Sequence, residues 1–143
     1  VIIFPPVFKY VLISAISLTF IQVFLGTQVR QFIDEQVLNF GYKKELWLQN
    51  PNLQFYIHRT LSILIILINA SLYMIIKKMQ LNEPLINYIM LVIGFEVVTG
   101  ILMYYLNFPF TTQPLHLVLS ALLFGLQFYL ILKTTIKKHK ILN

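Results

Sequence analysis

The chain has 143 residues, 58% of them hydrophobic and only 11% charged, where soluble domains carry about 25% charged residues, so the composition suits a bilayer and excludes a water-soluble globule. A formal charge of +6 raises nucleic acid as a partner, but the basic residues flank apolar runs instead of lining a soluble face, which argues against it. With no cysteine there is no disulfide framework, no thiolate nucleophile and no Cys-ligated metal centre.

Four apolar stretches follow in chain order, at residues 7–29, 55–76, 85–106 and 114–132. Each approaches the roughly 20 residues needed to cross the hydrocarbon at about 1.5 Å per residue. The reading is an all-α integral membrane four-helix bundle, a single transmembrane domain that uses the whole length 1–143. Connections after the first are short, so consecutive spans are antiparallel neighbours. The first stretch opens with Pro5, Pro6 and Lys9 and has no small-residue cleavage site, unlike a signal peptide. Because the sequence starts at Val1 and not at methionine, it reads as a piece of something longer.

Residues 31–54 form an outer loop too polar to span. Within it Ile33, Val37 and Phe40 recur at i, i+4 and i+7, and Trp47 and Tyr56 are belt-type aromatics. That pattern predicts a segment lying on the membrane surface. Lys9, Lys77, Lys78, Lys133, Lys137, Lys138 and Lys140 fall at the N-terminus, the second loop and the C-terminal tail, one side of a four-span chain. The positive-inside rule makes that side cytoplasmic, with both termini inside. On the other side Arg30, Lys43 and Lys44 are offset by Asp34, Glu35 and Glu45.

His58 enters the second span and His116 the fourth, both a few residues below the outer face. The two helices run parallel, so one ligand can sit between them with an imidazole on each side, as an axially ligated heme iron requires. The flanks repeat: His58, Leu61, Ser62 and Asn69 have the spacing of His116, Leu119, Ser120 and Gln127. Offsets of four and eleven fall within about 40° of the histidine on a helix, giving each helix a polar stripe. In lipid such a stripe faces a partner or cofactor. The other two spans echo each other as well, since Gln22-Val23 with Gly26 matches Glu96-Val97 with Gly100. The chain therefore reads as a duplicated two-helix unit. Glycines at the histidine depth let a flat macrocycle approach the backbone, or serve as close-packing sites between helices. Glu96, in mid-span, is either a pocket-lining group like its repeat mate Gln22 or a proton carrier. Arg30 and Arg59 stand where heme propionates would point; interfacial anchoring is the alternative role, and it suits Arg59, adjacent to a proposed ligand, less well. His139 lies in the lysine-rich tail and reads as solvated.

The segment Gln22-Val-Phe-Leu-Gly-Thr-Gln-Val-Arg30, with Ile57-His58-Arg59 opening one helix and Pro114-Leu-His116-Leu opening the last, resembles the heme A synthase family of cytochrome oxidase assembly proteins. The likeness covers essentially the whole chain. It implies two homologous four-helix halves in the full protein, of which this chain looks like the C-terminal one, holding a b-type heme through His58 and His116. The resemblance further implies an oxidoreductase that converts the heme O methyl group to the formyl of heme A, in a bacterial plasma membrane or mitochondrial inner membrane. Its expected partners are the N-terminal half with the heme O site, membrane lipid, and heme O synthase or oxidase assembly factors, with no nucleic acid. Two departures argue that the substrate site is not on this chain. Phe55 stands where the family's catalytic half has a glutamate three residues before its first histidine, and the cysteine pair many members carry in the first outer loop is missing. The rival readings are a small membrane cytochrome b that only carries electrons, and a non-heme scaffold or transporter fragment in which the histidines are structural.

Overall fold

The computed structural model describes residues 4–139, with side chains through residue 135. It is all-helical. Helix α1 spans Pro6–Phe40, a 3-10 turn follows at Lys44–Leu46, and α2 spans Leu53–Lys78, α3 Leu85–Tyr105 and α4 Thr112–His139. Each of the four long helices is long and apolar enough to cross a membrane, and the protein is an integral membrane protein.

Local chemistry sets the helix ends. Pro6 opens α1, where a missing N–H costs nothing. Gly41 closes it at φ +60°, a left-handed conformation that residues with a Cβ rarely adopt, and its N–H donates to Val37 O at 2.9 Å. Asn52 caps α2 by accepting from the Phe55 N–H at 3.0 Å. The loop into α4 has no glycine and holds Asn107, Phe108 and Thr111 at positive φ.

The helices form a ring in which α1 packs on α2, α2 on α3, α3 on α4 and α4 back on α1. Among the described residues α2 and α4 have no Cα pair within 8 Å, so they lie across the diagonal. Two side-chain pairs nevertheless bridge that diagonal. The His58 and His116 rings face each other, and eleven residues on, Gln127 Nε2 donates to Asn69 Oδ1 at 3.0 Å, with both amides fully buried. Equal increments along the two helices mean that α2 and α4 run parallel and in register.

The apolar core fills only one end. Phe8, Leu12 and Ala15 of α1, Leu72 and Ile76 of α2, Ile86, Ile89, Val92 and Ile93 of α3, and Leu123 and Leu130 of α4 make one buried cluster toward the lysine-bearing end. A second, small cluster of Ile33, Trp47 and Phe108 caps the opposite end. Between them lies the level of the histidines. At the lysine end Glu83, 3% exposed, accepts from Lys133 Nζ at 2.7 and 2.8 Å, tying the α2–α3 loop to α4. Lys133 thus has a structural partner beyond the orientation role its position suggested.

The outer loop differs from expectation. Residues 31–40 continue α1 as helix instead of lying as a separate surface segment, because no breaker occurs between Pro6 and Gly41. Ile33 and Val37 turn their apolar face onto Trp47 and Phe108. Trp47, expected in an aromatic belt, is 8% exposed in this cap, while Tyr56 is half exposed. The remaining span boundaries move by a few residues, and His139 falls outside the residues whose side chains are described.

Candidate heme-binding site

His58 and His116 each sit in the second turn of their helix. Their ring centroids are 6.5 Å apart with the planes at 69°. Ring nitrogens on opposite sides of one metal lie about 4 Å apart when each metal–nitrogen bond is about 2 Å, and ring centres must stand farther apart than the nitrogens. The observed separation is of the size that one iron between two imidazoles demands.

The neighbouring helices supply matching surroundings. On α1, a Cβ added at Gly26 would meet His58 Cε1 at 3.4 Å; on α3, one added at Gly100 would meet His116 Cε1 at 3.9 Å. Each glycine therefore lies against the histidine of the following helix, which is the geometry the sequence repeat predicts. Gln22 and Glu96, one turn before these glycines, also face a histidine each, but they contact it differently. Gln22 Nε2 donates to the backbone carbonyl of His58 at 3.0 Å. Glu96 Oε2 comes within 3.0 Å of the His116 ring at Nδ1.

Thr99 completes the His116 side, with its Oγ1 2.8 Å from Nδ1. The same hydroxyl is 3.0 Å from the carbonyls of Phe95 and Glu96. A hydroxyl has one proton and those carbonyls can only accept, so Thr99 can donate to one of them while accepting from His116 Nδ1, which the Glu96 carboxyl also faces as an acceptor. The Nδ1 of His116 then carries the proton and its Nε2 presents a free lone pair. Thr99 was not singled out from the sequence, because threonine in an apolar helix is common and its repeat mate Leu25 is apolar.

Three polar atoms at this level, His58 Nδ1, Gln22 Oε1 and Glu96 Oε1, and a fourth deeper in the bundle, Gln127 Oε1, are buried without a hydrogen-bond partner. Buried polar groups are otherwise almost always satisfied. The separation of the two rings and the glycine beside each of them fit a flat, metal-centred group held by two histidines. Among the described residues no three His, Cys, Asp or Glu side chains gather as a ligand set. A heme brings four equatorial nitrogens of its own and asks the protein for two.

Other expected residues stand apart from the rings. Ser62 and Ser120 are half-buried, and each donates to a carbonyl of its own helix, of Arg59 at 2.6 Å and of Leu117 at 2.9 Å, not to a histidine. Arg30 pairs with Asp34 at 2.9 Å, both about half exposed. The Arg59 guanidinium lies 5.6 Å over the Tyr104 ring, which in turn stacks on Phe55 at 5.8 Å. Above the histidines, Lys44 Nζ donates to Phe108 O at 2.9 Å, Trp47 Nε1 donates to Gly41 O at 3.1 Å, and the Trp47 and Phe108 rings pack at 5.5 Å. The first outer loop is thereby fastened to the loop that starts α4.

Compared with known families, residues 5–128 match COX15-CtaA, described as cytochrome oxidase assembly protein. Neither a curated protein nor a solved structure matches the chain. The family match takes in all of α1, α2 and α3 and the part of α4 that carries His116. The chain belongs to the COX15-CtaA family of cytochrome oxidase assembly proteins.

Proposed function

We propose that this chain is the heme-b-holding half of a heme A synthase, the membrane oxidoreductase that turns the heme O methyl group into the formyl of heme A. One observation carries the reading. Two histidines on diagonal, parallel helices face each other at 6.5 Å, each with a glycine of the preceding helix against its ring.

His58 and His116 would hold the iron, and a heme held there would supply one-electron transfer. Gln22, through its bond to the His58 carbonyl, steadies the second turn of α2. Gly26 and Gly100 leave the space that a macrocycle needs beside the rings. Arg59, and Arg30 if it leaves Asp34, are the cations available to propionates at the histidine end. Phe55 can neither take a proton nor stabilise a developing positive charge, so the oxidation of heme O belongs to the homologous half that completes the enzyme. Heme O synthase and oxidase assembly factors are the partners this role implies, alongside that half and membrane lipid.

The test is spectroscopic. The purified chain is expected to carry a six-coordinate low-spin heme, and His58→Ala and His116→Ala are each expected to abolish or convert that spectrum. An unchanged low-spin spectrum in either variant removes that residue from the ligand set.

A further inference from the structure

The two histidines are repeat mates, but their second nitrogens are treated unequally. His116 Nδ1 meets two acceptors, Thr99 Oγ1 at 2.8 Å and Glu96 Oε2 at 3.0 Å. His58 Nδ1 is buried and meets none. The difference arises in sequence: Glu96 corresponds to Gln22 and Thr99 to Leu25, so one half of the duplication carries a carboxyl and a hydroxyl where the other has an amide and an isobutyl group. Gln22 does not compensate: its Nε2 donates to the His58 backbone carbonyl, and its Oε1, the atom able to accept from Nδ1, makes no hydrogen bond.

We propose that Glu96 and Thr99 are positioning residues for His116, fixing its ring and making it the more strongly electron-donating of two unequal axial ligands. The proposal rests on the bis-histidine reading above. An acceptor on the far nitrogen of a ligating imidazole fixes tautomer and ring plane, and raises the basicity of the nitrogen that binds the metal. A carboxylate does this more strongly than a neutral acceptor. Greater donation favours the ferric state, so it lowers the midpoint potential of a heme held there. His58, with no such acceptor, keeps the weaker field and the freer ring. The arrangement also gives mid-span Glu96 a purpose that does not require proton transport: its carboxyl is directed at the ligand. A lone carboxyl in lipid is retained only where it has a partner.

Glu96→Gln keeps the shape and an acceptor oxygen but removes the carboxylate. In the purified chain it is expected to retain a low-spin heme while the midpoint potential rises and the ferric electron paramagnetic resonance spectrum shifts. Thr99→Val removes the other acceptor without changing size much, and is expected to raise the potential as well, with heme retention weakened by roughly tenfold or more. Potential and spectrum both unchanged in Glu96→Gln would overturn the proposal. Should Glu96→Gln fail to assemble, Thr99→Val decides alone: a raised potential supports it and an unchanged one overturns it. A parent chain that binds no bis-histidine heme overturns the ligand reading itself and this inference with it, whereas a normal parent spectrum with silent variants overturns only the inference.

Discussion

Gly26 shows what a single residue decides at this site. Its Cα faces the His58 ring closely enough that one added methyl reaches van der Waals contact at 3.4 Å and any larger group must displace the imidazole. Overpacking of this kind costs about 1–3 kcal/mol, and about 1.4 kcal/mol is tenfold in binding. Gly26→Ala is therefore expected to keep its heme, while Gly26→Val loses about tenfold in retention, read as Soret absorbance per protein after washing. Equal heme content in Gly26→Val and the parent would show that the ring face at Gly26 is not the cofactor's wall. Gly100, at 3.9 Å from His116, has more room, so the alanine replacement there is expected to be silent by the same measure. The buried Asn69–Gln127 pair works by a different rule. One bond joins them, from Gln127 Nε2 to Asn69 Oδ1, while Asn69 Nδ2 donates to the Ile65 carbonyl at 2.8 Å. Such an interhelical bond in lipid contributes about 0.6 kcal/mol and at most about 1.7, and its value lies in fixing the register of α2 against α4.

At the scale of elements, the long α1 and the strained loop before α4 depend on each other. Beyond Gly26, which marks the histidine level, α1 runs on to Phe40, and the apolar face of that stretch, with Trp47, grips Phe108 in a loop that has three non-glycine residues at positive φ. Such conformations cost of order 1–3 kcal/mol each and persist only where the surroundings hold them. Lys44 and Trp47 do the holding, through the Phe108 carbonyl and ring. Because α4 starts at Thr112 and His116 follows one turn on, the cap controls where that histidine stands. Trp47→Ala removes the centre of the cap, a loss of about 3–5 kcal/mol for a buried tryptophan. Faster amide hydrogen exchange across residues 107–116 is expected, with the cluster around Leu72 and Ile89 unaffected. Uniform exchange changes, or none, would mean that the cap does not govern the start of α4.

For the whole molecule, one end carries the packed apolar core and the Glu83–Lys133 pair, and the other carries the histidines under their cap. The lysines concentrate at the first of these ends, and the positive-inside rule predicts that it is cytoplasmic. Reporter fusions placed in the loop near Lys44 and after Thr135 are expected to report opposite compartments. If both report the same one, the chain does not cross the membrane four times as an antiparallel ring.

Four spans, their order and the parallel direction of the second and fourth were readable from hydropathy alone, because in lipid a helix must satisfy its own backbone and needs a fixed length of apolar chain. The spacing of His58 with Asn69 and of His116 with Gln127 also put all four on facing stripes, since helical periodicity is local. Periodicity places a residue on a face but does not choose its hydrogen-bond partner, and Ser62 and Ser120, matched in sequence, bond to carbonyls of their own helices. It was silent too on which acceptor reaches which ring nitrogen. Glu96 and Gln22 occupy equivalent positions, yet one approaches an imidazole and the other a backbone carbonyl. Only packing between helices decides such contacts, because they depend on rotation and separation of neighbours to within an ångström. The cap divides the same way: the lack of a breaker between Pro6 and Gly41 is local and allows one continuous α1, whereas the contact of Ile33 with Trp47 and Phe108, far apart in the chain, is made only by the fold.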